Sequence, residues 1–206
     1  MAEQLDIYNE NMQHLGIKDR DAVHRDGDWH RTFHCWLCYR DAQGQDFVIF
    51  QKRGPDKEFH ANLLDVSAAG HYESGEALAD GVREVEEELG IRVDFDDLLP
   101  VGIRYSVYRE NALVDYEFNE VFLLRDDRPL AAYQPQPNEV SDLVRVNIDA
   151  ALALFHGDCT AIPAMSRAAG TIDVQQADFV YPLDQYTYRV LILAKRFLDG
   201  EKHLVI

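Results

Sequence analysis

Ala69-Gly-His-Tyr-Glu-Ser-Gly-Glu-Ala-Leu-Ala-Asp-Gly-Val-Arg-Glu-Val-Glu-Glu-Glu-Leu-Gly-Ile91 combines an amphipathic helix pattern with three closely spaced carboxylates. The periodicity predicts a short helix from Leu78 onwards. Gly90 ends it, because glycine tolerates the left-handed conformation of a helix C-cap. On an ideal wheel Leu78, Val82, Val85 and Leu89 fall within an arc of roughly 60° and form a core-facing stripe. Glu84, Glu87 and Glu88, at i, i+3 and i+4, lie inside an arc of roughly 100° on a different side. Three carboxylates on one face repel each other, so the arrangement costs stability unless a cation compensates. Hard divalent ions such as Mg2+ take oxygen ligands of this kind; a solvated acidic face is the structural alternative. Arg83 adjoins Glu84 and precedes Glu87 by four residues, a position from which it can orient a carboxylate. The glycines ahead of the helix allow a backbone to approach a metal or a phosphate closely.

Working outward, the 206 residues suit one domain with appendages, and 47% hydrophobic with 28% charged residues is a globular composition. The net charge of −17 argues against nucleic acid and anionic membrane as partners, since both select basic surfaces. It leaves room for a phosphorylated small molecule, because a bound metal reverses the local field. No apolar run approaches the roughly 20 residues of a membrane span, and the first residues lack signal-peptide character, so a cytoplasmic location is expected. The odd count of three cysteines suits reduced thiols. Cys35 and Cys38 are spaced as zinc ligands can be. They sit in an apparent strand, Thr32–Tyr39, where positions three apart point to opposite faces, and no second pair completes a site.

Leu5–Tyr8 reads as an opening strand or hairpin, and Asp26-Gly27-Asp28 as a turn. On the next strand His30, Thr32, His34 and Trp36 share one face, with Phe33, Cys35 and Leu37 on the other. Phe47–Lys52 is a second strand, and Lys52 and Arg53 at its end either meet a phosphate or close the strand in solvent. Leu63–Ser67 leads into the Gly70 loop. Val101–Tyr108 and Val114–Leu124 read as a hairpin turning at Arg109-Glu110-Asn111, the second strand carrying Glu117 and Glu120. Asp126–Asn138 is a proline-containing loop and Leu143–Val146 a strand. Asn147 N-caps a helix Ile148–Phe155. Gly157–Pro182 reads as irregular. Asp184 caps a last helix, Gln185–Leu198, with Tyr186, Val190, Leu193 or Ala194, and Phe197 in one stripe. Strands with a central and a terminal helix predict a mixed-sheet α/β/α sandwich with a C-terminal helix. The expected organisation is one domain over residues 1–206. Its core is about 30–156, preceded by a strand or hairpin at 1–29 and followed by a helical extension at 157–206.

The segment from Gly70 resembles the Nudix box, Gly-x5-Glu-x7-Arg-Glu-apolar-x-Glu-Glu-x-Gly-apolar. The matching residues are Gly70, Glu76, Arg83, Glu84, Val85, Glu87, Glu88, Gly90 and Ile91. Six residues rather than seven separate Glu76 from Arg83, so one residue is missing from the loop or the first helical turn. The flanks, with His24, His30 and Leu64-Asp-Val-Ser-Ala-Ala-Gly-His71, look like the Nudix branch that includes isopentenyl-diphosphate isomerases. There a Cys-Gly-His sequence carries a catalytic cysteine, and here the triplet is Ala69-Gly70-His71. His24, His30 and His71 match the isomerase metal histidines approximately, and Glu120 is similar to its second acidic site. The resemblance implies the Nudix sandwich and metal-dependent hydrolysis of a phosphoanhydride in a nucleoside diphosphate linked to another moiety, or a related organic diphosphate. It implies Mg2+, or Mn2+, on Glu84, Glu87, Glu88 and the Gly70 carbonyl. Glu84, Glu87, Arg83 and Glu120 would serve catalysis, and Lys52, Arg53, His71 and Glu139 the substrate. Many relatives are homodimers. The alternatives are a noncatalytic ligand-binding Nudix domain and, least of all, an isomerase. Trp29, Tyr105, Tyr108 and Tyr133 are stacking candidates.

Overall fold

The computed structural model describes residues 3–57, 59–110, 113–180 and 185–206. The chain opens with strands β1 (Gln4–Tyr8) and β2 (His14–Asp19), helix α1 (Arg20–Asp26), and strands β3 (Trp29–Arg40) and β4 (Asp46–Arg53). The short strands β5 (Leu64–Asp65) and β6 (Ala68–His71) lead through a 3-10 turn, Leu78–Val82, into helix α2 (Arg83–Leu89). The long strands β7 (Leu98–Glu110) and β8 (Leu113–Arg125) follow, then β9 (Val140–Asn147) and helix α3 (Ile148–His156). Strands β10 (Ile162–Ser166) and β11 (Gly170–Val174) and helix α4 (Tyr186–Leu198) complete the chain.

Among the described residues the strands form one mixed sheet, ordered β11-β10-β9-β4-β3-β1-β2. Its centre is β3, which pairs antiparallel with β4 and β6 and parallel with β8. The period-2 alternation of β3 divides the core in two. Phe33, Cys35 and Leu37 pack with Val85 and Leu89 of α2. Trp36 and Cys38 face the other way and pack with α3 and α4. Helices therefore cover both faces, giving the expected α/β/α sandwich. The two cysteines lie in different clusters, so the zinc arrangement is absent for the reason given by strand geometry.

The Asn147 side chain accepts a hydrogen bond from the Ala150 amide and caps α3 as expected. Two sequence expectations need correction. Asp26-Gly27-Asp28 is the end of a helix: Gly27, at φ 73°, is the left-handed C-cap of α1. Among its residues only Val23 is buried, so no apolar stripe advertised the helix in the sequence. Residues 157–182 are not irregular throughout, because β10 and β11 form a hairpin that joins the sheet through β9. Their alternation is short and interrupted by Pro163, which hid the period of two. The helical cap at Asp184 and the Asn111 turn lie outside the described residues. Among the described residues no helix is long and apolar enough to cross a membrane.

A candidate active site between the central strand and the acidic helix

Helix α2 packs on the sheet through Val85 and Leu89, which are completely buried. This seam carries two of the three carboxylates inward: Glu84 is 8% and Glu88 6% exposed. The Glu87 side chain is 55% exposed and stays on the wet side. Glu88 accepts hydrogen bonds from the Ala69 amide at 2.8 Å and from Gln51 Nε2 at 3.0 Å. Burial pushes the Glu84 carboxyl up to about 7, against the pull of Arg83, and the Glu88 carboxyl up to about 8. A divalent ion among them would hold both ionised. A side chain at Gly70 would collide with the Glu84 carboxylate, which occupies the space a Cβ would fill. The donor set is hard oxygen throughout and fits Mg2+ or Mn2+.

Arg83 joins the acidic groups. Its Nε and Nη2 donate to the two oxygens of Glu76 at 2.7 and 3.1 Å, and its Nη1 to Glu84 at 2.6 Å and Glu87 at 3.2 Å. Nη2 also donates to the His71 carbonyl at 2.8 Å. Glu76 thus holds the arginine in place despite the shortened spacing. The residues between Glu76 and α2 include a 3-10 turn, Leu78–Val82.

A second cluster adjoins the first through Gly70 and His71. The rings of His24, His30 and His71 have centroids 5.1 to 5.3 Å apart. Asp115 and Glu117 of β8 face them: Asp115 Oδ1 lies 3.6 Å from both His24 Nε2 and His30 Nε2, and Glu117 Oε1 lies 4.0 Å from His30 Nε2. These separations are too long for hydrogen bonds. His30 Nε2 and Asp115 Oδ1 are buried without a hydrogen-bond partner. Burial and the neighbouring His71 lower His24 to about 4 and His30 to about 3. Burial and Glu117 raise Asp115. Neutral imidazoles are the ligating form, and two sets of atoms here, His24–His30–His71 and His30–Asp115–Glu117, converge closely enough to hold a metal ion.

The acidic centre and, of the second cluster, His24, His71, Asp115 and Glu117 line one cavity of about 710 Å³, shared with Arg20, Arg53, Lys57 and Arg104, with His30 buried behind them. Gly70, His71, Arg83, Glu84, Glu87, Glu88, Arg53 and Glu139 all lie on its wall. Arg53 is held by Asp65 at 2.8 Å, and Lys57 is paired with Glu139. Two expected residues are not on the wall. Lys52 alternates with Gln51 and Arg53 on β4, and those two face the site. Glu120 sits three residues after Glu117 on β8 and therefore on the opposite face, where Arg31 binds it at 3.2 Å. The acidic residues that do face the histidines are Asp115 and Glu117. The signal for them was the strand period already used to separate Cys35 from Cys38. None of the four stacking candidates is on the wall: Trp29 stacks on Phe118 at 4.6 Å, Tyr105 packs against both, Tyr133 is fully buried, and Tyr108 meets His60. Trp36, Phe50 and Tyr186 line the cavity instead.

The NUDIX domain family matches residues 28–162, a span that contains α2, Gly70 and the cluster on β8. The chain belongs to the Nudix family. An uncharacterized Nudix hydrolase from Clostridium acetobutylicum is 42% identical over 71% of this chain and 71% of its own. Nudix hydrolase 3 of Arabidopsis thaliana is 34% identical over 68% of this chain, a match that spans 19% of the plant protein. Isopentenyl-diphosphate Delta-isomerase 1 of Aromatoleum aromaticum is 28% identical over 69% of this chain and 76% of its own. A crystal structure from Deinococcus radiodurans shares the Nudix fold, with a TM-score of 0.53 and 28% identity, covering 73% of this chain and 87% of that one. Nudix hydrolases act on diphosphate-containing compounds and generally use a divalent metal such as Mg2+.

Proposed function

We propose that this Nudix protein hydrolyses a phosphoanhydride in a nucleoside diphosphate linked to another moiety, or in a related organic diphosphate. The observation that carries it is the pair of buried carboxylates, Glu84 and Glu88, set in the same cavity wall as Arg53 and Lys57. Glu84, Glu87 and Glu88 beside Gly70 would hold Mg2+ or Mn2+. A bound divalent ion neutralises non-bridging phosphate oxygens and lowers the pKa of a coordinated water. The chain's own residues do the rest. Arg83 orients Glu84 and Glu87. Glu87, the most exposed of the three carboxylates, is placed to take the proton of the attacking water. Arg53 and Lys57 meet the diphosphate, Lys57 exchanging Glu139 for phosphate oxygens. His24, His30, His71, Asp115 and Glu117 supply a second cation site on the same cavity.

Isomerisation of a prenyl diphosphate lacks its acid. Ala69 has no ionisable side chain, and its amide is spent on Glu88. Cys35 and Cys38 are buried in the core, and none of the three cysteines lines the cavity. The test is phosphoanhydride cleavage, followed by chromatography of the phosphate esters and any inorganic phosphate produced, with Mg2+ and with Mn2+ across nucleoside diphosphates, nucleotide sugars, dinucleoside polyphosphates, NADH, thiamine diphosphate and isopentenyl diphosphate. Cleavage of one class, reduced at least about 100-fold by Glu88→Gln in a folded variant, is expected. Silence across the panel with metal still bound would replace hydrolysis by ligand binding.

A further inference from the structure

Strand β1 lies outside residues 28–162, the span matched by the Nudix family, yet it grips the loop that carries Glu76. Three hydrogen bonds make the grip. The Ser74 amide donates to the Gln4 carbonyl at 2.8 Å, the Ser74 hydroxyl to Asp6 Oδ1 at 2.9 Å, and the Gly75 amide to Asp6 Oδ2 at 3.1 Å. Leu5, between Gln4 and Asp6, pairs with Glu73 in an isolated antiparallel bridge. The loop is itself a closed turn. The Glu76 amide donates to the Glu73 carbonyl at 3.0 Å, and the Glu73 amide to Glu76 Oε2 at 2.7 Å. Gly75, the third residue of the turn, sits at φ 86°, where glycine is favoured. The turn therefore aims the Glu76 carboxylate, whose two oxygens both accept from Arg83, and Arg83 in turn holds Glu84 and Glu87. An unbroken run of hydrogen bonds leads from β1 to the acidic centre.

We infer that Asp6 is a positioning residue for the acidic centre, acting through the Glu73–Glu76 turn on Arg83. The inference rests on the reading above that Glu84, Glu87 and Glu88 hold the metal, and it makes the N-terminal strand part of the framework of that site. Between the buried Tyr72 and the 3-10 turn, Glu73, Gly75 and Ala77 are exposed, so hydrogen bonds rather than packing fix this stretch. Exposed turns with few apolar contacts open locally at little cost. The Asp6 carboxylate supplies two of the three bonds from β1, and a turn released from it takes the Glu76 carboxylate along. Arg83 then loses the partner that fixes its Nε and Nη2, and with it the aim of Nη1 at Glu84 and Glu87. Groups that orient metal ligands contribute about 10- to 100-fold to metal affinity or activity. Asp6 stands further from the ligands than Arg83 does, so the lower end applies.

The experiment is a double-mutant cycle on the full chain: wild type, Asp6→Ala, Glu76→Ala and the two together. Each is measured for Mg2+ affinity by calorimetry and for kcat and KM on a cleaved diphosphate, with urea unfolding as the check on folding. Mg2+ is the probe because it takes oxygen ligands and leaves imidazoles to softer metals. Asp6→Ala should weaken Mg2+ binding and lower kcat by about 10-fold each, with KM within about 2-fold because Arg53 and Lys57 are untouched. In the Glu76→Ala background the same substitution should change either quantity by less than about 2-fold, since the turn then has no carboxylate to aim. Asp6→Asn keeps an acceptor for one of the two bonds and should recover part of the loss. Equal losses from Asp6→Ala in both backgrounds overturn the inference, because an effect on fold stability alone adds to that of Glu76→Ala. Unchanged Mg2+ affinity and kcat in a folded Asp6→Ala overturn it too. If Asp6→Ala does not fold, Ser74→Ala takes its place in the cycle and should lose about 3-fold, again only with Glu76 intact. A wild type that binds Mg2+ without cleaving any diphosphate counts against hydrolysis, and the cycle is then read from Mg2+ affinity. A wild type that binds no Mg2+ overturns both readings.

Discussion

Gly70→Ala isolates the geometry of the acidic centre from the stability of the fold. A Cβ at this position would lie inside 3.0 Å of the Glu84 carboxylate carbon and both of its oxygens. An unstrained carbon–oxygen contact is about 3.3 Å or more, so the carboxylate must retreat by something near 1 Å. The displaced atoms are the far end of a flexible side chain, and Gly70 is not among the glycines in the left-handed region. Alanine is therefore acceptable to the backbone, and unfolding stability should change by no more than about 1 kcal/mol. Catalysis should not escape so lightly. A misplacement of about 1 Å costs on the order of 100-fold in rate, or about 2.7 kcal/mol of transition-state stabilisation. The assay pairs initial rates of phosphoanhydride cleavage at saturating Mg2+ with a urea unfolding curve for the same preparation. Turnover within about 3-fold of wild type, with stability intact, would refute the view that Glu84 acts from its place beside Gly70. A large loss of stability would show instead that the strand cannot accept the methyl group.

Lys52→Ala should leave kcat/KM unchanged. Arg53→Ala should lower it at least about 10-fold, the worth of a charge-assisted hydrogen bond to phosphate; a steady-state comparison separates the two neighbours. Burial lowers His34 from 6.5 to about 4, a shift that the negative charges of Glu117 and Asp65 oppose. The unfolded chain therefore binds the proton first as pH falls, so His34 by itself should withdraw about 2 kcal/mol of stability between pH 7 and pH 5, read as the difference between wild type and His34→Gln in urea titrations at the two pH values. Asn147→Ala removes the side-chain acceptor of the Ala150 amide at the start of α3 and should cost about 1 kcal/mol, read as a lowered urea midpoint at unchanged slope.

Local periodicity was enough to reveal the strands around β3 and the C-terminal helix stripe. Alternation in β3 separated Phe33, Cys35 and Leu37 from Trp36 because side-chain direction on a strand depends only on neighbours in the chain. The same is true of Gly90 ending α2 and Asn147 starting α3, where the requirement is a single backbone conformation or a hydrogen bond three residues away. Spacing along one helix likewise marked Glu84, Glu87 and Glu88. What the chain alone could not decide was which groups meet across the sheet. The parallel pairing of β3 with β8 sets His30 opposite Glu117 in register, and that register depends on a long-range contact. Glu120 was therefore picked as the second acidic candidate although it faces Arg31 across the sheet from the histidines, and Asp115 was not recognised. Burial is also a tertiary property: Glu84, Glu87 and Glu88 share one helical surface, yet packing against the sheet buries two and leaves the third wet. The cavity wall under α4 joins residues from β3, β7 and the C-terminal helix, and only the fold brings Arg104, His34 and Tyr186 together.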